Sequence, residues 1–361
     1  MESLRKLFSK GPSVGGALVV FALLCVAASQ PAVGQSFTIQ DLGDLPGGIF
    51  SEAKAVNDSG QIVGGAATYG RFQIHAFLWD NGELEDLGTL PGDITAAGIS
   101  SEAYAINNHG EVVGEAATLN GFHAFLFDKE GMKDLGTLPG NLQSRATGIN
   151  DGGQVVGYSY KLSPDTKRAF LWENGEMFDL GTLLGGGYSE ALAINNRGQI
   201  VGDTIGSDGQ LHAFLFDNGV MNDLGVLPGG TSSVATAINN RGQVVGYSSS
   251  SNGLRGFLWE DGRMIDLGTL LGDSAYSEAF GINNRGQIVG DSANHAFLWQ
   301  NGVMIDLNSL PYALGGVARA INKHGDVAGS SDNLLGKLSE ATLWISPLGR
   351  GHRRGYLGAQ N

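Results

Sequence analysis

The stretch Ser189–Gly225 reads SEALAINNRGQIVGDTIGSDGQLHAFLFDNGVMNDLG and contains three segments that recur along the chain. INNRGQIVG is intact again at Ile282–Gly290, HAFLW occurs at His75–Trp79 and His295–Trp299, and variants of each fill the other units. The Asp-Leu dipeptide near the end of the stretch recurs at spacings of 40 to 48 residues, at Asp41, Asp86, Asp134, Asp179, Asp223, Asp266 and Asp306. A repeat of this length predicts one supersecondary unit per repeat, stacked on its neighbours.

Each unit has the pattern of four short strands: the SEAxAIN segment, GQIVG, HAFLW and the run that ends in Asp-Leu-Gly. Asn-x-x-Gly follows the first strand, and Asn-Gly often precedes the fourth, as at Asn174-Gly175, because these residues tolerate positive φ in tight turns. The first strand alternates small residues, such as Ala191 and Ala193, whereas the third carries Phe and Trp. A wedge-shaped blade, narrow at its inner edge, requires this gradient of side-chain size.

The two ends of the repeat region complement each other. Phe37–Leu42 is a lone fourth strand, and the last unit has no Asp-Leu strand after Trp344. We therefore predict an all-β fold, a seven-bladed β-propeller of four-stranded antiparallel blades whose last blade is completed by the N-terminal strand. A β-solenoid with two rungs per unit is the alternative, but it gives no reason for the matching incomplete ends.

Composition limits the class of protein and of partner. The 361 residues include 58 Gly and 9 Pro, and 42% are hydrophobic, which excludes a collagen or a disordered tract and fits many strands joined by tight turns. The formal net charge of −14 argues against nucleic acid as a partner, because phosphate binding requires a basic surface.

The N-terminus predicts export. A basic stretch, Met1–Lys10, precedes an apolar run from about Ala17 to Ala28 that is short for a membrane span, and cleavage is expected after Gly34. Retention of this segment as an anchor is the alternative. Cys25, the only cysteine, falls in the apolar run, so the exported chain has no disulfide. We expect a secreted protein, extracellular or periplasmic, without stable membrane insertion after signal cleavage. Its predicted parts are a signal peptide at 1–34, the propeller at 35–346 and a short basic tail at 347–361.

The HAFLW and INNRGQIVG segments, together with DLGTLPG at Asp86–Gly92, resemble the bacterial extracellular repeat proteins of the HAF family, named for the His-Ala-Phe triplet. The resemblance covers the chain from about Phe37 to Trp344. It implies a secreted or surface repeat protein, and it supplies no catalytic residues to carry over.

The connectivity predicts two unlike faces. The turns between strands one and two, and between three and four, are short and share one face, the turn face. The loops between strands two and three, and between consecutive units, are longer and share the other, the loop face, where function usually lies. Aromatic rings there are candidate ligand contacts, because they stack on sugars and form protein hot spots. Packing within the loops is the alternative role for these residues: Phe50, Tyr69, Phe72, Phe122, Tyr160, Tyr188 and Tyr276.

Four units place a glutamate at the start of the innermost strand, beside the loop-face mouth of the central channel: Glu52, Glu102, Glu190 and Glu278. A partial ring of carboxylates suits Ca²⁺, which takes several oxygen ligands, so we consider a calcium site here and expect no other cofactor. Solvated acids beside a loop are the alternative.

Histidine begins the third strand in four units, at His75, His123, His212 and His295. These residues fall on separate blades, whereas a zinc site needs ligands that converge. We therefore expect them to form hydrogen bonds at the blade edge. We expect the Asp of Asp-Leu-Gly to accept hydrogen bonds from backbone N–H groups in a turn.

The sequence contains no Ser nucleophile elbow, phosphate loop or zincin helix. It therefore predicts a monomeric, non-enzymatic scaffold that binds an extracellular glycan or protein through the loop face. Two alternatives stay open: a propeller glycosidase or polysaccharide lyase that uses acids such as Glu102 and Glu190, and a purely structural envelope or matrix protein.

Overall fold

A computed structural model describes residues 37–68, 73–91, 100–161, 167–183, 187–308, 311, 313–333 and 339–347. Within these ranges the chain forms 28 β-strands, arranged in seven four-stranded antiparallel sheets. The sheets are the blades of a seven-bladed β-propeller, which confirms the predicted fold. The described ranges include no helix long and apolar enough to cross a membrane. The predicted signal peptide, and all but the first residue of the predicted tail, lie outside them.

Each blade takes its strands from one repeat, and the blades are numbered 1 to 7 in the order of their first strands. The first, innermost strands are β2 (Ser51–Val56), β6 (Ser101–Ile106), β10 (Gln143–Ile149), β14 (Ser189–Ile194), β18 (Ser233–Ile238), β22 (Glu278–Ile282) and β26 (Ala313–Ile321). The second strands are β3 (Ile62–Thr68), β7 (Val112–Thr118), β11 (Val155–Tyr160), β15 (Ile200–Ile205), β19 (Val244–Ser250), β23 (Ile288–Ser292) and β27 (Val327–Asn333).

The outer half of each blade consists of a long and a short strand. The third strands are β4 (Gln73–Asp80), β8 (Gly121–Asp128), β12 (Arg168–Glu173), β16 (Leu211–Asp217), β20 (Gly253–Glu260), β24 (His295–Gln300) and β28 (Glu340–Ile345). The fourth strands are β5 (Glu83–Asp86), β9 (Gly131–Asp134), β13 (Glu176–Asp179), β17 (Val220–Asp223), β21 (Arg263–Asp266), β25 (Val303–Asp306) and, in blade 7, β1 (Thr38–Asp41).

The N-terminal strand completes blade 7, as predicted. β1 pairs antiparallel with β28, with Thr38 opposite Ile345 and Asp41 opposite Thr342, and the sheet order is β1-β28-β27-β26. The N–H of Leu42 extends the pairing by donating to the backbone oxygen of Ala341 at 2.9 Å. The outer edge of the last blade is therefore built from the first strand of the chain.

The hydrophobic core lies between neighbouring blades. Val63 and Ala76 of blade 1 pack with Ala103 and Phe125 of blade 2, and all four are fully buried. Small first-strand residues let the inner strands approach the axis, while the Phe of the HAF triplet fills the wider space outside. The glycine that ends GQIVG is required by the same crowding, because a Cβ at Gly114 would overlap the backbone oxygen of Glu102.

The HAF triplet also fastens adjacent blades. The N–H of Ala124 donates to Ser144 Oγ of the next blade at 2.8 Å, and the hydroxyl of Ser144 donates to a turn carbonyl. Six blades use this bridge. His123 Nδ1 lies 2.9 Å from the nearer carboxylate oxygen of Asp134, and Asp134 Oδ1 accepts the N–H of Gly136 at 2.7 Å. The hydrogen-bonding roles predicted for the recurring histidine and aspartate are therefore confirmed.

Candidate functional site

The central channel has two mouths, and the one on the turn face is lined by a ring of asparagines. Each asparagine donates from Nδ2 to the backbone oxygen of its counterpart in the next blade, at 3.0 to 3.2 Å, and the last donates to the first. Each Oδ1 also accepts two N–H groups of its own turn, as Asn57 does from Ser59 and Gln61. The polar atoms of these side chains are satisfied, which is the pattern of a structural joint. The ring comprises Asn57, Asn107, Asn150, Asn195, Asn239, Asn283 and Asn322.

The residue after each asparagine forms a second ring. Its backbone N–H donates to the side-chain oxygen of the next blade in six cases, at 2.8 to 3.0 Å. The seventh bond, from Asn284 to blade 7, cannot form because Lys323 stands there and a lysine side chain offers no acceptor. This outer ring is therefore open at one joint.

The loop-face mouth is built differently, from charged groups. The predicted glutamates lie there, at the end of each innermost strand opposite the asparagine ring. In blades 2, 4 and 6 each faces a second acid directly across the strand pair: Glu102 opposite Glu115, Glu190 opposite Asp203, and Glu278 opposite Asp291. Like charges placed directly opposite destabilise a sheet, so these three acid pairs need compensation.

Sequence reasoning missed the second member of each acid pair. Glu115, Asp203 and Asp291 all directly follow the glycine that ends the GQIVG segment. Because residues paired across two strands share a face, that position lies beside the first-strand glutamate. An acidic residue directly after this glycine could therefore have identified the second acid from the sequence alone.

Basic side chains compensate part of the acid. Lys54 Nζ lies 2.8 Å from Glu52 Oε2 and 3.4 Å from Glu102 Oε1, and so links blades 1 and 2. Arg145 Nε donates to Glu115 Oε2 at 2.8 Å, across the joint between blades 2 and 3. These contacts give both acids of blade 2 a basic partner.

Two further cations lie next to the acid pairs of blades 4 and 6, one from blade 3 and one from blade 7. Lys167 Nζ is 2.7 Å from Glu190 Oε1. Arg319 Nη2 of blade 7 lies 3.3 Å from Glu52 Oε1, and its guanidinium covers the ring of Phe280 at 4.8 Å. Burial acts to raise the pKa of Glu52, but Lys54 and Arg319 outweigh it and hold that pKa below its usual value.

Tyrosine hydroxyls join the same network. Tyr104 donates to Glu102 Oε2 at 2.8 Å, Tyr188 to Glu190 Oε1 at 2.6 Å, and Tyr276 to Asp291 Oδ2 at 2.8 Å. Two of the predicted loop-face aromatics, Tyr188 and Tyr276, therefore belong to the channel mouth together with the predicted glutamates.

The other predicted aromatics are described only in part. Tyr160 donates to Gln143 Oε1 at 2.7 Å. Phe50 and Phe122 are half-buried. Tyr69 and Phe72 lie outside the described residues.

Two aspartates of the mouth are buried without full pairing. Asp203 is 3% and Asp291 6% exposed, and within the described chain neither Asp203 Oδ2 nor Asp291 Oδ1 has a hydrogen-bond partner. Burial, followed by the nearby charge of Glu190, raises the pKa of Asp203 to about 7. Burial also raises the pKa of Asp291, and burial together with Asp291 raises that of Glu278.

The described residues contain no group of three or more His, Cys, Asp or Glu side chains placed to hold a metal ion. Three of the four predicted glutamates instead contact lysine: Glu52 and Glu102 share Lys54, and Glu190 contacts Lys167. Calcium binding at this mouth stays a prediction.

Comparison with known proteins supports the fold. A family model described as "Protein of unknown function (DUF3466)" matches residues 39–134. No curated protein matches the sequence. Among solved structures, the chain is similar to an oligogalacturonate lyase in complex with manganese, with a TM-score of 0.54, 10% identity, and coverage of 86% of this chain and 93% of that one.

Two further structures are similar. The β-propeller domain of the Trilobed protease from Pyrococcus furiosus has a TM-score of 0.52 and 10% identity, covering 82% of this chain and 93% of that one. TolB from Acinetobacter baumannii has a TM-score of 0.46 and 9% identity, covering 80% of this chain and 65% of that one, so this chain spans less than two thirds of that protein. At 10% identity, the similarity to the oligogalacturonate lyase and to the Trilobed protease domain shows the propeller fold alone.

Proposed function

We propose that this protein is a secreted, non-enzymatic propeller that binds an extracellular glycan or protein at the loop-face mouth of its central channel. The contrast between the two mouths carries the proposal. The asparagine ring satisfies its polar atoms, whereas the loop-face mouth buries Asp203 and Asp291 with an oxygen of each unpartnered. Such groups cost stability in a free protein, and sites of this kind are where ligands bind.

The surroundings of the mouth support binding of a large partner. Tyr188 and Tyr276 bond acids of the mouth, and the half-buried Phe50 and Phe122 lie on the loop face near the ends of their strands. A rigid propeller that presents such rings beside hydrogen-bonding acids matches the chemistry of sugar and protein recognition. The basic and apolar N-terminal segment supports export, which would bring this face to extracellular ligands.

Arrays of glycans and extracellular proteins, probed with the chain from residue 35 onward, test the proposal. The variant Glu190→Gln/Glu278→Gln should lose binding to the ligand found. The matched control is Glu83→Gln/Glu176→Gln, which makes the same change at two exposed positions of outermost strands and should bind like wild type. Circular dichroism verifies that both variants fold. A polysaccharide that wild type degrades, with no reproducible ligand on the arrays, would contradict the proposal.

One observation favours an enzyme as the second candidate. Asp203, whose pKa burial and Glu190 raise to about 7, lies directly across the strand pair from Glu190, and Glu190 is ion-paired with Lys167. Two carboxyl groups with unlike environments are the arrangement that glycosidases and related enzymes use for acid and base. Any glycosidase or lyase activity of this mouth should disappear in Glu102→Gln/Glu190→Gln and in Asp203→Asn. Full activity in both variants would eliminate this candidate.

A further inference from the structure

The acid pairs and the cations alternate around the loop-face mouth, except in one sector. Blade 3 places Arg145 and Lys167 between the acid pairs of blades 2 and 4. Blades 7 and 1 place Arg319 and Lys54 between the acid pairs of blades 6 and 2. Only blade 5 separates the acid pairs of blades 4 and 6, and it supplies no cation to the mouth.

Blade 5 lies wholly within the described chain, and its three arginines are all used elsewhere. Arg241 is in the turn-face loop after β18 and bonds Gln243 at 2.7 Å. Arg255 donates to the backbone oxygens of Asp273 and Ala275. Arg263 starts the outermost strand. The gap in the alternation is therefore a property of this blade.

Blade 5 keeps the framework of a cation site. In blade 3 Arg145 pairs across the strands with Tyr158, and the guanidinium and Lys167 Nζ lie 5.8 and 4.8 Å from the centre of that ring. The same register positions in blade 5 are Val234 and Tyr247. The aromatic ring is retained, and the basic residue above it is replaced by valine.

The aspartates that border this sector each keep one buried oxygen without a hydrogen-bond partner among the described residues. Asp203 Oδ2 on one side and Asp291 Oδ1 on the other lack partners, and no described hydrogen bond or ion pair holds the carboxylate of Glu278. Both aspartates are more than nine-tenths buried, so these oxygens are shielded from bulk solvent. Burial, and then the charges of Glu278, Asp203 and Glu190, raise the pKa of Tyr247 to about 12, so acids from both sides act on this ring.

We infer that the sector over Tyr247, between Asp203 and the Glu278–Asp291 pair, binds an ammonium or guanidinium group of the ligand. This inference rests on the proposed function and specifies the ligand of that same mouth. An aromatic face with carboxylates around it is the usual setting for an organic cation. A metal ion would instead need several oxygens that converge on one point, and the described residues provide no such group.

Four probes test the inference by calorimetry and thermal melting at pH 7. Glucosamine and Nα-acetyl-lysine amide carry the ammonium on a sugar and on a peptide, and N-acetylglucosamine and the Nε-acetylated lysine derivative are their neutral counterparts. At least one ammonium probe should bind, and about tenfold or more tightly than its neutral counterpart. Binding should release a proton, because Asp203 is partly protonated at this pH. The better ammonium probe identifies the source of the group.

Val234→Arg supplies the missing cation from within the chain and should abolish binding of the ammonium probes. Val317→Arg is the matched control, since Val317 holds the same register position in blade 7, beside the existing Arg319. Thr236→Lys places a lysine at the position in blade 5 that Lys54 holds in blade 1, and it provides the same test if Val234→Arg does not fold. The inference is overturned by equal binding of ammonium and acetylated probes, by no saturable binding of either ammonium probe, by unchanged binding in folded Val234→Arg, or by a response to Ca²⁺ alone.

The same variants separate this inference from the proposed function. An array ligand that Val234→Arg binds as well as wild type does would overturn the cation site and leave the binding function standing. Ammonium probes that bind while the arrays yield no glycan or protein would leave the cation site and contradict the binding function.

Discussion

Asn322 Nδ2 donates to the backbone oxygen of Asn57 at 3.2 Å, although 265 residues separate the two along the chain. This bond closes the asparagine ring between the last repeat and the first. At the outer side of blade 7, β1 pairs with β28 and makes the same connection between the ends of the repeat region. The propeller is therefore fastened at its seam both beside the axis and at the rim.

Deleting residues 37–42 should destabilise the propeller sharply. The deletion removes β1, exposes the edge of β28 and uncovers the apolar contacts that Ile39 and Leu42 make. We expect a loss of about 3 kcal/mol or more, as for a large buried side chain, measured by thermal and denaturant unfolding. Ile39→Asn should reproduce part of the loss, while Ile265→Asn, at a 45% exposed position of another outermost strand, should not. A truncated chain that melts like the full one would show that the strand does not close the ring.

Lys323→Asn should stabilise the protein. The new Oδ1 can accept the N–H of Asn284 and complete the second ring, which adds about 1 kcal/mol for one hydrogen bond. The Lys323–Asp58 ion pair is lost, but at 3.5 Å with the lysine 55% exposed it contributes little. Lys323→Ala loses the same ion pair without gaining an acceptor, so it should not share the increase in the denaturant midpoint. Equal midpoints for the Asn and Ala variants would contradict the ring.

The His123–Asp134 pair should make stability depend on pH. The hydrogen bond to Asp134 raises the pKa of His123 above its usual 6.5, so its contribution is fully present below pH 6.5 and is lost as the pH rises through the folded-state pKa. We expect His123→Gln to cost about 0.5 kcal/mol at pH 5.5 and less at pH 8, because Asp134 is 43% exposed. Urea unfolding at both pH values measures this. In an Asp134→Asn background the same substitution should cost the same at both, and a pH-independent cost in wild type would refute the prediction.

Asp203→Asn should remove a second pH dependence of stability, which arises from the burial of a carboxyl group and not from a hydrogen-bonded pair. Burial and then Glu190 raise the pKa of Asp203 from 3.8 to about 7, so the folded state holds a proton that the unfolded state releases, and stability falls as pH rises through that interval. The fall is at most about 4 kcal/mol, since each pKa unit corresponds to about 1.4 kcal/mol. The variant should flatten the pH profile of unfolding and be more stable than wild type at pH 8. Asp273→Asn, at an exposed position, should leave the profile unchanged.

Much of the fold could be predicted because the same four-strand sequence pattern occurs seven times along the chain. The Asp-Leu spacing gave the blade count, and Phe37–Leu42 gave the closing strand. The hydrogen-bonding roles of His123 and Asp134 also followed from their positions in the repeat, but the bond that joins the two residues was not predicted. Such features recur in every blade, so the pattern itself carries them.

The channel mouth could be predicted only in part, because its chemistry lies where the repeats differ. A bulge at Tyr104 changes the phase of the first strand between Ala103 and Ala105, so simple alternation does not show which residues share a face. Lys167 comes from a loop, and the bond from Tyr188 to Glu190 depends on how the chain enters β14. The loop-face glutamates were located correctly, but their partners required the folded structure.

The asparagine ring has a direction, since every blade donates to the blade that follows it and accepts from the one before. Every joint is therefore chemically interchangeable, including the one at the seam. Duplication or loss of a whole repeat would leave each remaining donor with an acceptor of the same kind. The ring thus places no constraint on how many units the propeller contains, and that number is set by the angle at which Ala-lined inner strands and Phe-lined outer strands pack together.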